Sequence, residues 1–311
     1  MPHIAYLGPE GTFTEQATRV LTTDFPADFA AELVPRETVP QALAAVRSGA
    51  VVAAGVPVEN SVEGSVPATL DGLVGDESLV AVAEAQLPVR FDVLTRPGTA
   101  ADEIRTVASH PHAIAQVRGW IGQNLPAAAA EYTASTAAAG AAVAAGEVDA
   151  GVVAPIAAAK HADLQVLASG IADVPDAVTR FLLVRRPGQV PEPTGADRTS
   201  IAAVVTDEVG ALSGLLAELS LRGINLSRIE SRPTKDRLGT YRFFLDFDGH
   251  VADARIGDAL AGLRRRCTEV RFLGSYPKAD RAPAPVRPCA SEQAFQESAR
   301  WLAEIRAGRL A

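Results

Sequence analysis

Residues 51–65 read Val51-Val52-Ala53-Ala54-Gly55-Val56-Pro57-Val58-Glu59-Asn60-Ser61-Val62-Glu63-Gly64-Ser65. Val51 to Val58 is an apolar run that predicts a buried strand. It breaks into a glutamate, an asparagine and a serine, turn chemistry at the strand's carboxyl end. In open α/β sheets that end is where ligands bind. Upstream, Ile4 to Leu7 predicts a strand, and Phe13 to Leu21 and Val39 to Arg47 predict helices. Downstream come strand-like Leu79 to Leu94 and Arg105 to Ala108, a helix over Ala113 to Gln123, and a strand at Glu131 to Thr133. An alanine-rich helix to Ala145 and a strand at Ala150 to Val153 complete the series. Strands alternating with helices predict parallel sheets covered on both faces, an α/β protein.

The pattern changes after residues 187–198, where three prolines and two glycines in twelve positions preclude a helix or a central strand. Beyond this linker the order is strand Ser200 to Thr206, helix Ala211 to Arg222, strands Ile224 to Ser231 and Thr240 to Phe247, helix Asp253 to Arg265, and strand Glu269 to Leu273. That βαββαβ order is the ferredoxin-like motif. Residues 277–311 read as a proline-rich spacer and a helix from Ser291 to Ala307.

The chain of 311 residues is long enough for two domains, and 48% apolar with 21% charged residues suits a packed core. A net charge of -8 argues against nucleic acid or an anionic membrane as partner. Cys267 and Cys289 have neither metal nor disulfide spacing, and the start Met1-Pro2-His3-Ile4 lacks a signal peptide's basic and apolar regions. No run approaches the roughly 20 apolar residues of a membrane helix. A reducing, cytoplasmic location is expected.

Three segments carry candidate chemistry. Gly8-Pro9-Glu10-Gly11-Thr12-Phe13-Thr14 joins a strand to a helix, with Thr12 and Glu15 at capping-box spacing. It reads as an ordinary capped turn, or as a backbone that a carboxylate or phosphate approaches closely. Glu59, Asn60 and Ser61 place an acid, an amide and a hydroxyl in one turn, which serves either itself or a ligand. Thr179-Arg180-Phe181 opens an apolar run, and its arginine is either solvated or a clamp for a carboxylate. Ser135-Thr136 reads first as an N-cap, and His110 and His112 as a strand-end turn capping the next helix. Neither histidine has metal-ligand spacing to an acid, so no metal is expected.

In this order these segments resemble the prephenate dehydratase family: Gly-Pro-x-Gly-Thr-Phe-Thr at 8–14, Pro-x-Glu-Asn-Ser with a following glycine at 57–64, and Thr-Arg-Phe at 179–181. Ser109-His110-Pro111 with Gln116, and Ser135-Thr136-Ala137, also match. The resemblance covers about residues 3–186. The C-terminal part resembles an ACT domain, a small ligand-sensing module. Gly210-Ala211-Leu212, Asn225 and Glu230-Ser231-Arg232-Pro233 match the stretches around phenylalanine in the regulated enzymes. Val209 stands where the family often has proline.

The resemblance implies a two-lobed catalytic domain over 1–186, like periplasmic binding proteins, with lobes of about 1–80 plus 150–186 and 81–149, then an ACT domain over 199–276. It implies decarboxylation and dehydration of prephenate to phenylpyruvate, with no cofactor, inhibition by phenylalanine, and a homodimer or homotetramer. Thr179 would donate a hydrogen bond to the departing ring hydroxyl, with Glu59 the candidate acid if burial raises its pKa. Arg180 and the turns at Thr12 and Ser135 would hold the pyruvyl carboxylate. Gly11, Asn60, Ser61, Thr136 and Phe181 would complete the substrate site. Arogenate dehydratase, and a non-catalytic amino-acid-responsive binding protein, are the alternatives.

Overall fold

The computed structural model describes residues 2–23, 31–75, 77–234 and 240–309. The chain begins with β1 (His3–Leu7), α1 (Phe13–Leu21), β2 (Glu32–Arg36), α2 (Val39–Arg47), β3 (Ala53–Asn60), the short β4 (Gly64–Ser65), α3 (Pro67–Leu73) and β5 (Val80–Pro88). Next come β6 (Asp92–Thr95), β7 (Thr106–Ser109), α4 (Pro111–Gln116), α5 (Arg118–Asn124), β8 (Ala129–Tyr132), α6 (Thr136–Ala145), β9 (Ala150–Val153), α7 (Pro155–Lys160), β10 (Gln165–Ser169) and β11 (Val178–Arg185). The C-terminal elements are β12 (Asp197–Val204), α8 (Ala211–Ser220), β13 (Leu226–Pro233), β14 (Tyr241–Asp248), α9 (Ala254–Arg266), β15 (Glu269–Pro277) and α10 (Glu292–Arg306).

Two sheets make the two lobes. The first has the order β2-β1-β3-β11-β5, with β4 against β3, and the second β10-β6-β9-β7-β8. Both are mixed, where the sequence predicted parallel sheets. β1, β2 and β3 run parallel, as do β7, β8 and β9. β11 runs antiparallel to β3, and β6 antiparallel to β9 and β10. The reversed strands flank the two crossovers, 89–91 and 170–177, where the chain enters and leaves the second lobe.

The lobe boundaries also differ from the expected division at 81 and 150. β5 belongs to the first sheet, while β9 and β10 belong to the second. β9 pairs in parallel with β7, Val107 opposite Ala150, so the apolar run at 150 completes the second lobe rather than returning to the first.

The apolar runs of the second lobe follow from burial on both faces. Val93, Val107 and Val152 pack into one cluster, and their neighbours Leu94, Ala108 and Val153 into another. In the first lobe Gly55 lies at the centre of β3, where a Cβ would overlap the Thr18 side chain. Glycine there lets α1 settle directly on the sheet.

Compact packing divides the chain into 1–72 with 85–186, and 73–84 with 187–311. The second unit thus takes in a segment from within the expected catalytic domain. Arg271 donates to the Val74 carbonyl at 3.0 Å, and Arg198 pairs with Glu84 at 2.5 Å. Its sheet has the order β13-β14-β12-β15, antiparallel throughout, and α8 and α9 enclose a core that includes Ile201, Leu215, Leu245, Phe247 and Leu263. This is the ferredoxin-like arrangement. Among the described residues no helix is long and apolar enough to cross a membrane, and no cluster of acids, histidines or cysteines suits a metal ion.

Candidate active site

A cleft of about 750 Å³ lies within the N-terminal unit, lined from both lobes by segments that include Thr12, Asn60, His110, Ser135 and Thr179. Much of the lining comes from segments that follow β1, β2, β3, β7 and β8, the carboxyl ends of parallel strands, and Thr179 joins it from the antiparallel β11.

Helices α1, α2, α4 and α6 start on this cleft, and their N-cap residues Thr12, Thr38, His110 and Ser135 all line it. Each side chain accepts one backbone N–H of its own first turn: Thr12 Oγ1 from Glu15 at 3.3 Å, Thr38 Oγ1 from Gln41 at 3.3 Å, His110 Nδ1 from His112 at 3.3 Å, and Ser135 Oγ from Ala138 at 3.0 Å. A helix start carries partial positive charge and spare donors. Among the described residues no lysine or arginine lines the cleft, whereas Glu37 and Glu63 do. The positive potential on its walls therefore comes from helix starts rather than from side chains.

Thr179 and Asn60 face each other across the β11–β3 ladder. Asn60 Oδ1 accepts the Val62 and Glu63 amides at 2.8 and 2.9 Å, which turns Nδ2 toward Thr179 Oγ1 at 2.8 Å. The threonine oxygen thus accepts a hydrogen bond, and its own hydroxyl proton is left to donate. Ser61 sets the same register from behind: its N–H donates to the Val178 carbonyl and its Oγ accepts the Val178 N–H, both at 2.9 Å. The ladder slips by one residue between Arg180 and Phe181, which pair with Glu59 and Pro57. This bulge lets Pro57 and Asn60, three apart, both line the cleft.

Other expected site residues lie elsewhere. Arg180 is 7% exposed and its Nη1 lies 3.7 Å from Glu59 Oε2, so the clamp and the acid face one another, and neither lines the cleft. Alternation along β11 turns residue 180 away from the side that 179 faces. Phe181 is buried at 1% exposure and also does not line it. Phe13 and Phe91 form the aromatic wall instead, edge to face with centroids 5.7 Å apart. Gly11, at φ +84°, donates its N–H to Glu15 Oε2 at 2.5 Å and lines an adjoining cavity. Thr136 lines the cleft beside Ser135.

His110, His112 and Gln116 are further lining residues; the sequence presented the two histidines as a capping turn and Gln116 only as a position that matches the family. His110 does cap α4, and burial, then the neighbouring His112, lower its pKa. With Nδ1 accepting an amide, its proton sits on Nε2. Gln116 is 7% exposed, and its Oε1 has no hydrogen-bond partner among the described residues. A buried acceptor left open at a cleft suits a donor on a ligand.

In the C-terminal unit Gly210 is the left-handed N-cap of α8, φ +83°, with Ala211 and Leu212 in its first turn. Asn225 opens the next strand and donates from Nδ2 to Asp248 at 2.8 Å. Glu230 to Pro233 form the far end of the edge strand β13.

A two-lobed α/β unit with a cleft between its lobes and an oriented hydroxyl, followed by a ferredoxin-like module, defines the class as a two-lobed α/β protein with a small-molecule cleft and an appended βαββαβ domain. The prephenate dehydratase family model matches residues 4–189 and the ACT domain model residues 199–265. The chain belongs to the prephenate dehydratase family. A prephenate dehydratase from Amycolatopsis methanolica is 57% identical over 312 residues, covering 100% of both chains. One from Mycolicibacterium vanbaalenii is 48% identical over 318 residues, covering 99% of this chain and 100% of the other. The crystal structure of prephenate dehydratase from Arthrobacter aurescens in complex with L-Phe aligns with TM-score 0.91 at 45% identity, over 98% of this chain and 99% of that one.

Proposed function

We propose that the cleft binds prephenate and converts it to phenylpyruvate, carbon dioxide and water. The observation that carries this reading is the Asn60–Thr179 pair, which holds a hydroxyl donor at a cleft built of helix starts. The starts of α1, α2 and α6 hold the pyruvyl carboxylate. Thr179 donates a hydrogen bond to the ring hydroxyl as its C–O bond breaks, and the departing oxygen leaves as water by taking up one proton, a net proton consumed from the buffered solvent. Electrons from the breaking bond to the ring carboxylate enter the ring, which becomes aromatic as carbon dioxide leaves. Phe13 and Phe91 offer that carboxylate an apolar wall, where loss of charge is favoured over ionic pairing. Gln116 Oε1 accepts from the substrate hydroxyl. No cofactor takes part.

Incubating the chain with prephenate and following the ultraviolet absorbance of phenylpyruvate tests the reading. Absence of product at substrate saturation overturns it, in favour of a binding protein without catalysis. Arogenate is the second substrate to try, since Glu37 and Glu63 in the lining favour an ammonium group. The ratio of kcat/KM for the two acids decides between them.

Phenylalanine is the ligand of the ACT domain, held by Gly210 to Leu212, Asn225 and Glu230 to Pro233 where two copies of the chain associate. The protein works as a cytoplasmic homodimer or homotetramer that phenylalanine inhibits. The complex of the Arthrobacter relative with L-Phe supports phenylalanine as a ligand. Equilibrium dialysis of the full chain should show phenylalanine bound below millimolar concentration, and no binding there would remove the regulatory role.

A further inference from the structure

Glu15 is a buried carboxylate that the chemistry above leaves unused. It lies in the first turn of α1, with its side chain 2% exposed. Oε2 accepts the Gly11 N–H at 2.5 Å and Oε1 accepts from Arg19 at 2.7 Å. A third partner arrives from the other lobe: Lys160, the last residue of α7, donates to Oε2 at 3.1 Å and Oε1 at 3.4 Å, and reaches Glu10 at 3.2 Å. Burial raises the Glu15 pKa, but Arg19, the Gly11 amide and Lys160 outweigh it and hold the group below its ordinary value. The group is therefore ionised at neutral pH.

A fixed negative charge in the first turn of α1 opposes an anion at that same start, and because it is buried, salt screens it little. Arg19 sits on the same helix and offsets this charge at any lobe separation. Lys160 does so only when the lobes are as close as they are here.

We propose that Lys160 is a positioning residue for dianion binding: by crossing from the second lobe to neutralise Glu15, it brings the anion site of α1 to full strength as the lobes close. Substrate affinity and closure then reinforce each other, because a ligand shifts a conformational equilibrium only through its different affinity for the two states. The proposal rests on the cleft being the prephenate site.

The test is steady-state kinetics of full-length variants with prephenate. Lys160→Met should raise KM about tenfold with kcat within about twofold, and Lys160→Arg should restore KM. In a Glu15→Gln background, where an amide oxygen can still accept the Gly11 N–H, Lys160→Met should add less than about a twofold change, because the charge it offset is gone. An unchanged KM in Lys160→Met overturns the proposal. So does an equal rise in the Glu15→Gln background, which would make Lys160 a direct substrate contact. Failure of the underlying reading shows separately, as a wild-type chain that does not turn prephenate over.

Discussion

Two neighbouring rungs of the β3–β11 ladder meet different fates. Thr179 lies opposite Asn60, and Arg180 opposite Glu59. The first pair lines the cleft with one hydroxyl proton left to donate. The second turns away, with a guanidinium at 7% exposure facing a carboxylate. By residue chemistry alone the second pair is the stronger candidate for acid–base work, since it holds both charges. Strand alternation reverses that order, because side chains one residue apart face opposite sides of a sheet. Reactive residue types are thus a weaker guide to a site than the face they occupy.

The sharpest way to break this contrast is Thr179→Val. It keeps the shape and removes the donor, so kcat should fall at least about a hundredfold while KM changes little. Near-normal turnover would leave the first rung without a catalytic role. Asn60→Asp comes next. A carboxylate can still accept the Val62 and Glu63 amides but turns an acceptor toward Thr179, whose hydroxyl would then donate to that carboxylate instead of to substrate. We expect kcat to drop by about 10 to 100-fold, less than for Thr179→Val.

The second rung should answer in stability instead. Arg180→Met should cost about 1–3 kcal/mol in chemical denaturation, with KM for prephenate within about threefold of wild type. A rise of about a hundredfold in KM would restore Arg180 as the carboxylate clamp.

The smallest effect concerns Glu15, whose pKa lies below its ordinary value of 4.5 in the folded chain. A carboxylate of this kind stabilises the fold fully above its unfolded pKa, and that contribution fades as pH falls through the lower folded value. The stability gap between wild type and Glu15→Gln should therefore be widest near neutral pH and shrink in acid. A gap that is constant from about pH 7 to about pH 3 would mean that the charge of Glu15 has no part in it.

Much of the site was legible where the cause is local. Thr12 and Ser135 are N-caps because a hydroxyl oxygen can reach a backbone N–H three residues on, a relation written in spacing. The ferredoxin-like order of the C-terminal part was likewise readable from period and turns. The Thr179–Asn60 contact joins residues 119 apart, and only resemblance to a family pointed to it. Nothing in the composition of 53–60 announces the bulge that brings Pro57 and Asn60 to one side. His110 was read as a cap, which it is, while its place on the cleft depends on how the β7 end meets the other lobe.

The amino-acid sequence by itself determined most element types, though not β2, α3, α7 or β10. It also determined the caps at Thr12, His110 and Ser135, the change of architecture after residue 186 and the family, since each rests on short-range periodicity, turn chemistry or motif order. Only the tertiary structure decided that β9 and β10 complete the second lobe, that Arg180 faces Glu59 rather than the cleft, and that Lys160 reaches Glu15 from the other lobe. Those outcomes depend on strand pairing and register between distant segments, where a shift of one residue exchanges the two faces of a sheet.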